Sequence, residues 1–255
     1  GLGTAEVLIV EPAPSDPREQ RSMIEWVRAL REAGRAPLAC LVTHHHRDHV
    51  GAAAVLRRQA GLPLWGHEQT RSRLRDVPFD RLLNDGEQLA LHGPRPQRWL
   101  VLHTPGHAPG HLCLHEPQVG ALVLGDMIAT RSTILVAPED GDMAVYLAQL
   151  QRLAALEAKL GLPSHGAPIE QPSVVLRATH AHRLMREGKV LDALRGTGEA
   201  TLAQLLPRVY DETSVALWPL AAQSLRAHLD KLVCDGVVRL SGRTRFALVE
   251  NKKRE

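Results

Sequence analysis

Thr43-His44-His45-His46-Arg47-Asp48-His49 sets four metal-capable side chains within six residues. Residues 38–43 ahead of it read as a strand, and in an extended segment side chains two apart project to the same side. His44 and His46 can therefore grip one ion together. Asp48 and His49 follow where the chain turns into a new helix and can face a second ion nearby. Imidazoles and a carboxylate are the donors that zinc and related borderline cations take. His45 and Arg47 are spacers and are not read as ligands. The competing reading, a solvated polyhistidine turn, weakens as further donors appear at later turns.

Outward from that stretch, helices and strands alternate. Residues 6–10 (Glu-Val-Leu-Ile-Val) read as a buried strand, and residues 15–35 as a helix with apolar Met23, Ile24, Val27 and Leu30 and a closing Gly34. Residues 49–59 form a helix rich in Ala and Val, and residues 63–66 a short strand. An arginine-rich segment (Arg71, Arg73, Arg75) and the turn Asn84-Asp85-Gly86 come next. Residues 99–103 are a strand closed by Thr104-Pro105-Gly106-His107. Residues 111–114 and 121–124 pair as strands, the second ending in Gly125-Asp126. A helix over 142–160 leads to the turn Pro163-Ser164-His165-Gly166. Donors thus arrive one per strand end: His107, Asp126, His165. Strands alternating with helices, with the chemistry at strand ends, predict an α/β layered domain.

After about residue 172 the character changes. Residues 174–185 are helical and 186–195 continue the helix, with a break allowed at Gly188. Helices are predicted over 200–210 and 218–234, and residues 237–240 and 244–249 form a hairpin around Ser241-Gly242-Arg243. Helices followed by a two-stranded ribbon make a winged-helix pattern, so the chain divides into residues 1–172 and 173–255.

Composition sets the bounds. A chain of 255 residues with 44% hydrophobic residues can fill a core, although at 3% aromatics Leu, Ala and Val must do so. No apolar run approaches the ~20 residues of a membrane span, and no membrane partner is expected. Cys40, Cys113 and Cys234 are odd in number and far apart, which predicts reduced thiols and a cytoplasmic location. Cys113 sits in an apolar Leu-Cys-Leu setting and reads as core. Residues 1–185 balance at 19 basic against 19 acidic, while residues 186–255 carry 12 against 9. That excess gathers in Arg239, Arg243, Arg245 and Lys252-Lys253-Arg254, a modest basic end that suits a polyanion. The chain begins Gly-Leu-Gly without Met, so an upstream segment is expected to be missing from this sequence, and any targeting signals with it.

The ordered set of four motifs closely resembles the metallo-β-lactamase superfamily over most of residues 6–170. The resemblance implies an α/β (α+β) fold, the αββα sandwich, with metals at one edge of the paired sheets. It implies that His44, His46 and His107 hold one metal, that Asp48, His49 and His165 hold the other, and that Asp126 bridges them. Two divalent ions follow, zinc first, with manganese or iron also tolerated by these donors. A hydroxide bridging the ions would be the nucleophile, with Asp48 and Asp126 as the catalytic carboxylates, and no Ser or Cys nucleophile is needed. His111, four residues after His107, reads equally as a support for a ligand or as a strand cap. Thr43 and Thr104 could hydrogen-bond ligand groups. His103 reads as structural, and His67, His92, His115, His180, His182 and His228 as surface or satisfied polar groups.

Three departures from the family pattern stand out. Relatives usually have a strand pair ahead of residues 6–10, so N-terminal strands are expected to be missing or the first sheet incomplete. Ser164 stands where relatives have Gly, in a turn that can want φ > 0. Glu11 stands where many have Asp, which would alter a hydrogen bond to a ligand.

The lactamases of the superfamily lack the bridging carboxylate that Asp126 supplies, so the resemblance is to hydrolases of thioesters, phosphodiesters and lactones. The C-terminal part, with Leu225-Arg226-Ala227-His228-Leu229-Asp230-Lys231-Leu232, resembles the winged-helix extension of the β-lactamase-like protein 2 group. That group includes endoribonucleases acting on single-stranded RNA, and close relatives release polyketide chains from carrier proteins. RNA phosphodiester cleavage by a di-zinc hydrolase is the leading expectation, and a thioesterase acting on an acyl carrier, coenzyme A or glutathione thioester is the alternative. RNA or a carrier-bound thioester is the expected partner, and a homodimer is an admissible assembly. A metal-binding protein without turnover ranks below both, because every donor position is filled. A continuous arginine track from residues 71–75 to the wing would favour RNA; an apolar recess would favour an acyl chain.

Overall fold

Strand β1 (Glu6–Val10) shows how the layers form: Leu8 points into one apolar cluster while Val7 and Ile9 point into another. A strand buried on both faces lies inside a layered sandwich. The computed structural model describes residues 1–131 and 133–249, and the basic run Lys252-Lys253-Arg254 lies outside the described residues.

β1, β2 (Ala36–Leu41), β3 (Leu64–Gly66) and β4 (Arg81–Leu82) form a parallel sheet in that order. The free edge of β1 is met by Leu2, which bridges Leu8 in antiparallel fashion. Helices α1 (Pro17–Glu32), α2 (Arg47–Val50) and α3 (Ala53–Ala60) follow β1 and β2. Asp16 caps α1 by accepting from the Arg18 and Glu19 amides, and Pro17 opens it. Ile24, Val27 and Leu30 of α1, with Ala53, Leu56 and Ala60 of α3, pack on the outer face of this sheet. Helix α4 (Glu68–Arg73), capped by the His67 ring, follows β3, so Arg71 and Arg73 are helical and Arg75 lies in the turn beyond.

The second sheet has the order β10-β9-β8-β7-β6-β5, built from β5 (Gln88–Leu91), β6 (Gln97–His103), β7 (Leu112–Glu116), β8 (Ala121–Gly125), β9 (Leu160–Pro163) and β10 (Ile169–Glu170). Its pairs are antiparallel except β8 with β9, which run parallel and so end on the same edge. Leu8, Ala39 and Leu41 meet Leu89, Trp99, Val101, Leu112 and Leu114 between the sheets. The outer face, with Leu102, Cys113, Leu122 and Leu124, is covered by α5 (Met143–Ala154) and α6 (Pro172–Thr197). Helix, sheet, sheet, helix is the expected αββα order.

Some boundaries differ from expectation. The helix expected over 142–160 stops at Ala154, and residues 160–163 form β9 instead; Gly161 there packs so closely that a Cβ would lie 2.8 Å from Leu124 Cδ1 and Pro172 Cβ. Helix α6 runs unbroken through Gly188. Residues 200 and 201, expected to open a helix, belong instead to strand β11 (Glu199–Thr201), followed by α7 (Leu202–Val209), α8 (Trp218–Cys234), β12 (Val238–Ser241) and β13 (Arg245–Leu248). These strands form a small antiparallel sheet, β11-β13-β12, over a core of Val190, Leu205, Leu225, Leu229 and Phe246. Ala227 of α8 reaches back into the cluster under α5. No helix among the described residues is long and apolar enough to cross a membrane.

Candidate metal centre

The ends of β2, β6, β8 and β9 deliver all seven expected side chains to one place. His44, His46 and His107 form one group of donor atoms, and Asp48, His49 and His165 form another. His46 Nδ1 lies 3.0 Å from His107 Nε2. His165 Nε2 is 3.4 Å from Asp48 Oδ2, and His49 Nε2 is 3.5 Å from it. Asp126 stands between the groups: its Oδ2 is 3.5 Å from His107 Nε2 and 3.5 Å from His49 Nε2, and its Oδ1 is 3.5 Å from His165 Nε2.

His44, His46, His49 and His107 each turn one nitrogen inward and spend the other on a partner that fixes the ring. His44 Nδ1 donates to Thr43 Oγ1 at 3.0 Å, and Thr43 Oγ1 in turn donates to Glu11 Oε1 at 2.5 Å. His49 Nδ1 donates to the same Glu11 oxygen at 2.9 Å. His107 Nδ1 donates to the Leu135 carbonyl at 2.8 Å, and His46 Nε2 to Asp140 Oδ2 at 2.9 Å. These tautomers follow from the partners. The Glu11 substitution therefore keeps contact with the donor set, binding two residues of the first motif at once, with its own backbone at φ 61°. Strain of that kind persists where surrounding bonds hold it.

His111 faces no donor group. Its Nδ1 donates to Thr104 Oγ1 at 2.7 Å and its Nε2 accepts from the Asp126 amide at 2.9 Å, so it positions the backbone of Asp126. Gly125 makes this possible: at φ 51° it puts no Cβ where one would lie 2.4 Å from His111 Nε2. In the last turn the left-handed residue is Gly166 (φ 109°), not Ser164, so the serine sits without the backbone cost expected of it. Asp140 was not foreseen. It lies 94 residues from His46 and has no ligand spacing of its own, yet it accepts from His46 and from His45 Nε2 (2.7 Å) and pairs with Arg73 of α4. Only the turn Asp140-Gly141-Asp142 ahead of α5 hinted at a special loop. His103 is structural as expected, stacked on His67 with centroids 3.9 Å apart.

The electrostatics match the geometry. Burial first, then the neighbouring imidazoles, pushes His44 far below its ordinary value, and burial takes His107 down to about 4 and His111 to about 3. These rings are neutral at pH 7, the state a ligand needs. Burial also works against the charged form of His49, but the carboxylates of Asp126 and Glu11 beside it outweigh that and lift its pKa to about 10.

The donor set fits a divalent ion. His44 Nε2, His49 Nε2 and Asp126 Oδ1 are buried without a hydrogen-bond partner among the described residues. Such atoms are costly unless something pairs them. Tetrahedral zinc with bonds of ~2.0–2.1 Å sets its donors about 3.4 Å apart, close to the spacings seen here.

An αββα sandwich with these His/Asp clusters at strand ends defines a metal-dependent hydrolase class. Residues 3–165 match the family described as "Metallo-beta-lactamase superfamily", and residues 201–245 match "Beta-lactamase associated winged helix domain". The chain belongs to the metallo-β-lactamase superfamily, a family of hydrolases. It is 27% identical to a "Beta-lactamase-like protein 2 homolog" of Drosophila melanogaster over 79% of this chain and 70% of that one. It is 29% identical to an "Atrochrysone carboxyl ACP thioesterase" of Pseudocercospora fijiensis over 84% of this chain, but this spans only 64% of that relative's length. A crystal structure of a "Beta-lactamase domain protein" from Burkholderia ambifaria superposes with a TM-score of 0.81 over 95% of this chain and 82% of that one, at 24% identity.

Proposed function

We propose that the chain is a two-metal hydrolase of acyl thioesters, with His44, His46 and His107 holding one ion, Asp48, His49 and His165 the other, and Asp126 shared. The observation that carries it is the equal 3.5 Å spacing of Asp126 Oδ2 from a nitrogen of each group. Zinc suits the nitrogen and oxygen donors best. Two divalent ions held by these residues would supply a water ionised near neutral pH and a Lewis acid for the carbonyl under attack. The chain's own part is to fix the donors: Glu11 locks His49 and, through Thr43, His44; Asp140 locks His46; Leu135 locks His107; His111 locks the Asp126 backbone.

The walls beside the donors favour an acyl group. A cavity of about 300 Å³ contains His46, Asp48, His107, Asp126 and His165 and continues over Ile134, Leu135 and Ala137. It shares Thr133 and Ile134 with a second cavity of about 240 Å³ walled by Ile128, Ala129, Val175 and Ala178. A free arginine track is not what α4 offers: Arg71 pairs with Glu68 and Arg73 with Asp140. The thioesterase relative supports the same reading.

RNA cleavage is the second reading. It rests on Arg239 and Arg243, exposed on the β12–β13 hairpin and outside every ion pair among the described residues. The test is a parallel assay of metal-loaded protein on an acyl thioester, single-stranded RNA and a lactone, each with and without chelator. Chelator-sensitive turnover of the thioester above the other two is the expected result. RNA cleavage that exceeds it and falls in Arg239→Ala/Arg243→Ala would replace the first reading with the second.

A further inference from the structure

The second cavity contains a cation without a counter-ion. Arg183 of α6 is 3% exposed and lines that cavity with Tyr146, Thr133, Thr179 and the apolar residues of the wall. One of its terminal nitrogens donates to the Ile134 carbonyl, and the guanidinium lies 5.6 Å from the Tyr146 ring centroid. Its Nε–H is buried with no acceptor, and among the described residues no carboxylate comes within ion-pair distance of it. The neighbouring arginine on α6, whose Nε–H likewise has no acceptor, differs in having a counter-ion: Arg186 has Glu212 at 3.9 Å and donates to the Val209 carbonyl. A buried cation left unpaired is costly, and a charged partner with hydrogen-bonding oxygens relieves it.

The same short segment ties this arginine to the donor cluster. Ile134 O accepts from Arg183 while the next carbonyl, Leu135 O, accepts from His107. A ligand in the second cavity is therefore adjacent to the metal-site cavity, across the shared Thr133 and Ile134.

We propose that Arg183 binds a carboxylate at the far end of the substrate's acyl group, so that the enzyme selects acyl thioesters that carry a second acid function. This rests on the thioesterase reading and names its substrate class. The acyl side is favoured because a carrier or coenzyme A is far larger than this cavity, and the donors Asp48 and His165 lie on the more exposed side, where such a leaving group can depart. A carboxylate is favoured over a phosphate because one guanidinium neutralises one charge, and a buried dianion would keep the second unpaired. The hydroxyls of Thr133 and Thr179 on the same wall are available to its remaining lone pairs.

The experiment compares succinyl-, glutaryl- and adipyl-coenzyme A with butyryl-, pentanoyl- and hexanoyl-coenzyme A on the metal-loaded wild type, Arg183→Met and Arg183→Lys. For at least one chain length the wild type should prefer the acid by about tenfold or more in kcat/KM. Arg183→Met should raise KM for that acid by roughly 10- to 100-fold, the effect of losing a charge-assisted hydrogen bond, and change the neutral substrate by less than about threefold. Arg183→Lys, which keeps the charge, should fall between the two and guards against a folding defect in the methionine variant. Titration with free glutarate, read by calorimetry, should detect binding to the wild type and none to Arg183→Met. Equal turnover of acid and neutral thioesters, or glutarate binding unchanged in Arg183→Met, overturns the inference and leaves the thioesterase reading standing. Tighter binding of 3-phosphopropionate than of glutarate through Arg183 overturns the choice of carboxylate. Turnover of none of the thioesters, with glutarate still bound through Arg183, removes the thioesterase reading and leaves a carboxylate site.

Discussion

The strand-end cluster and the α6–α8 interface both bury imidazole nitrogens that no hydrogen bond satisfies, and only the first is built for an ion. At the strand ends, the inward nitrogens of His44, His46 and His107 converge, those of His107 and His49 each lie 3.5 Å from Asp126, and all four rings are held from behind. At the α6–α8 interface His228 is fully buried with both nitrogens unpaired, and its nearest acid, Glu187 Oε2, is 3.7 Å away. Glu187 itself pairs with Lys231. An orphaned buried nitrogen is thus a weak sign of a ligand; convergence with a carboxylate and a fixed tautomer is the strong one.

Asp126→Ala should break that convergence most severely. It removes the one side chain common to both groups, so kcat/KM should fall further than the ~10–100-fold typical of losing an outer partner. His45→Ala, beside the cluster and bonded only to Asp140 among the described residues, should stay within about threefold. Similar losses at both positions, measured on metal-saturated protein, would show that the ligand allocation is mistaken.

Metal counting sharpens the contrast within the cluster. His44 and His107 are buried and braced, whereas the Asp48 side chain is 64% and that of His165 38% exposed. The described residues offer the His165 ring no hydrogen bond from behind. His165→Ala should therefore keep one bound ion per chain by elemental analysis, and His44→Ala should keep less than one. The reverse order would mean that the exposed group is the tighter site. Glu11→Gln, which weakens the brace on His49 and His44, should lower affinity by about tenfold in a chelator competition.

Most of this was legible because chemistry clusters in sequence while its supports do not. His44 through His49 come as one run, and His107, Asp126 and His165 each follow an apolar strand and sit among glycines and prolines, so spacing and resemblance placed them. Asp140 and the Leu135 carbonyl belong to a loop whose contact with the donors exists only after the sandwich closes. Strand β5 escaped notice because it follows the Asn84-Asp85-Gly86 turn with only four residues, and β9 because Leu160–Pro163 continues an apolar helical pattern. Sheet pairing overrides propensity in segments that short. His228 was read as a satisfied polar group, and its orphaned nitrogens come from the docking of α8 on α6, which no local pattern records.

The smallest expected effect lies there. Burial lowers the pKa of His228, with the nearby Glu187 carboxylate opposing and Arg183 and Lys231 reinforcing. Between that lowered value and the ordinary 6.5, the unfolded chain binds a proton that the folded chain refuses, so stability falls as pH falls through that window and is intact above it. Glu187 also favours its deprotonated form in the fold: burial opposes, but His228 and Lys231 hold its pKa below the ordinary value, so its own loss begins only at more acidic pH, below 4.5. His228→Leu removes the refused proton and leaves every donor at the strand ends in place. Replacing an unsatisfied buried polar group by an apolar one of similar size is close to neutral at pH 7. Denaturant melts at pH 7 and pH 5.5 should then show a smaller acid loss in the variant than in wild type, with bound metal unchanged. An equal acid loss in both would place the refused proton on other buried groups and remove His228 from the contrast.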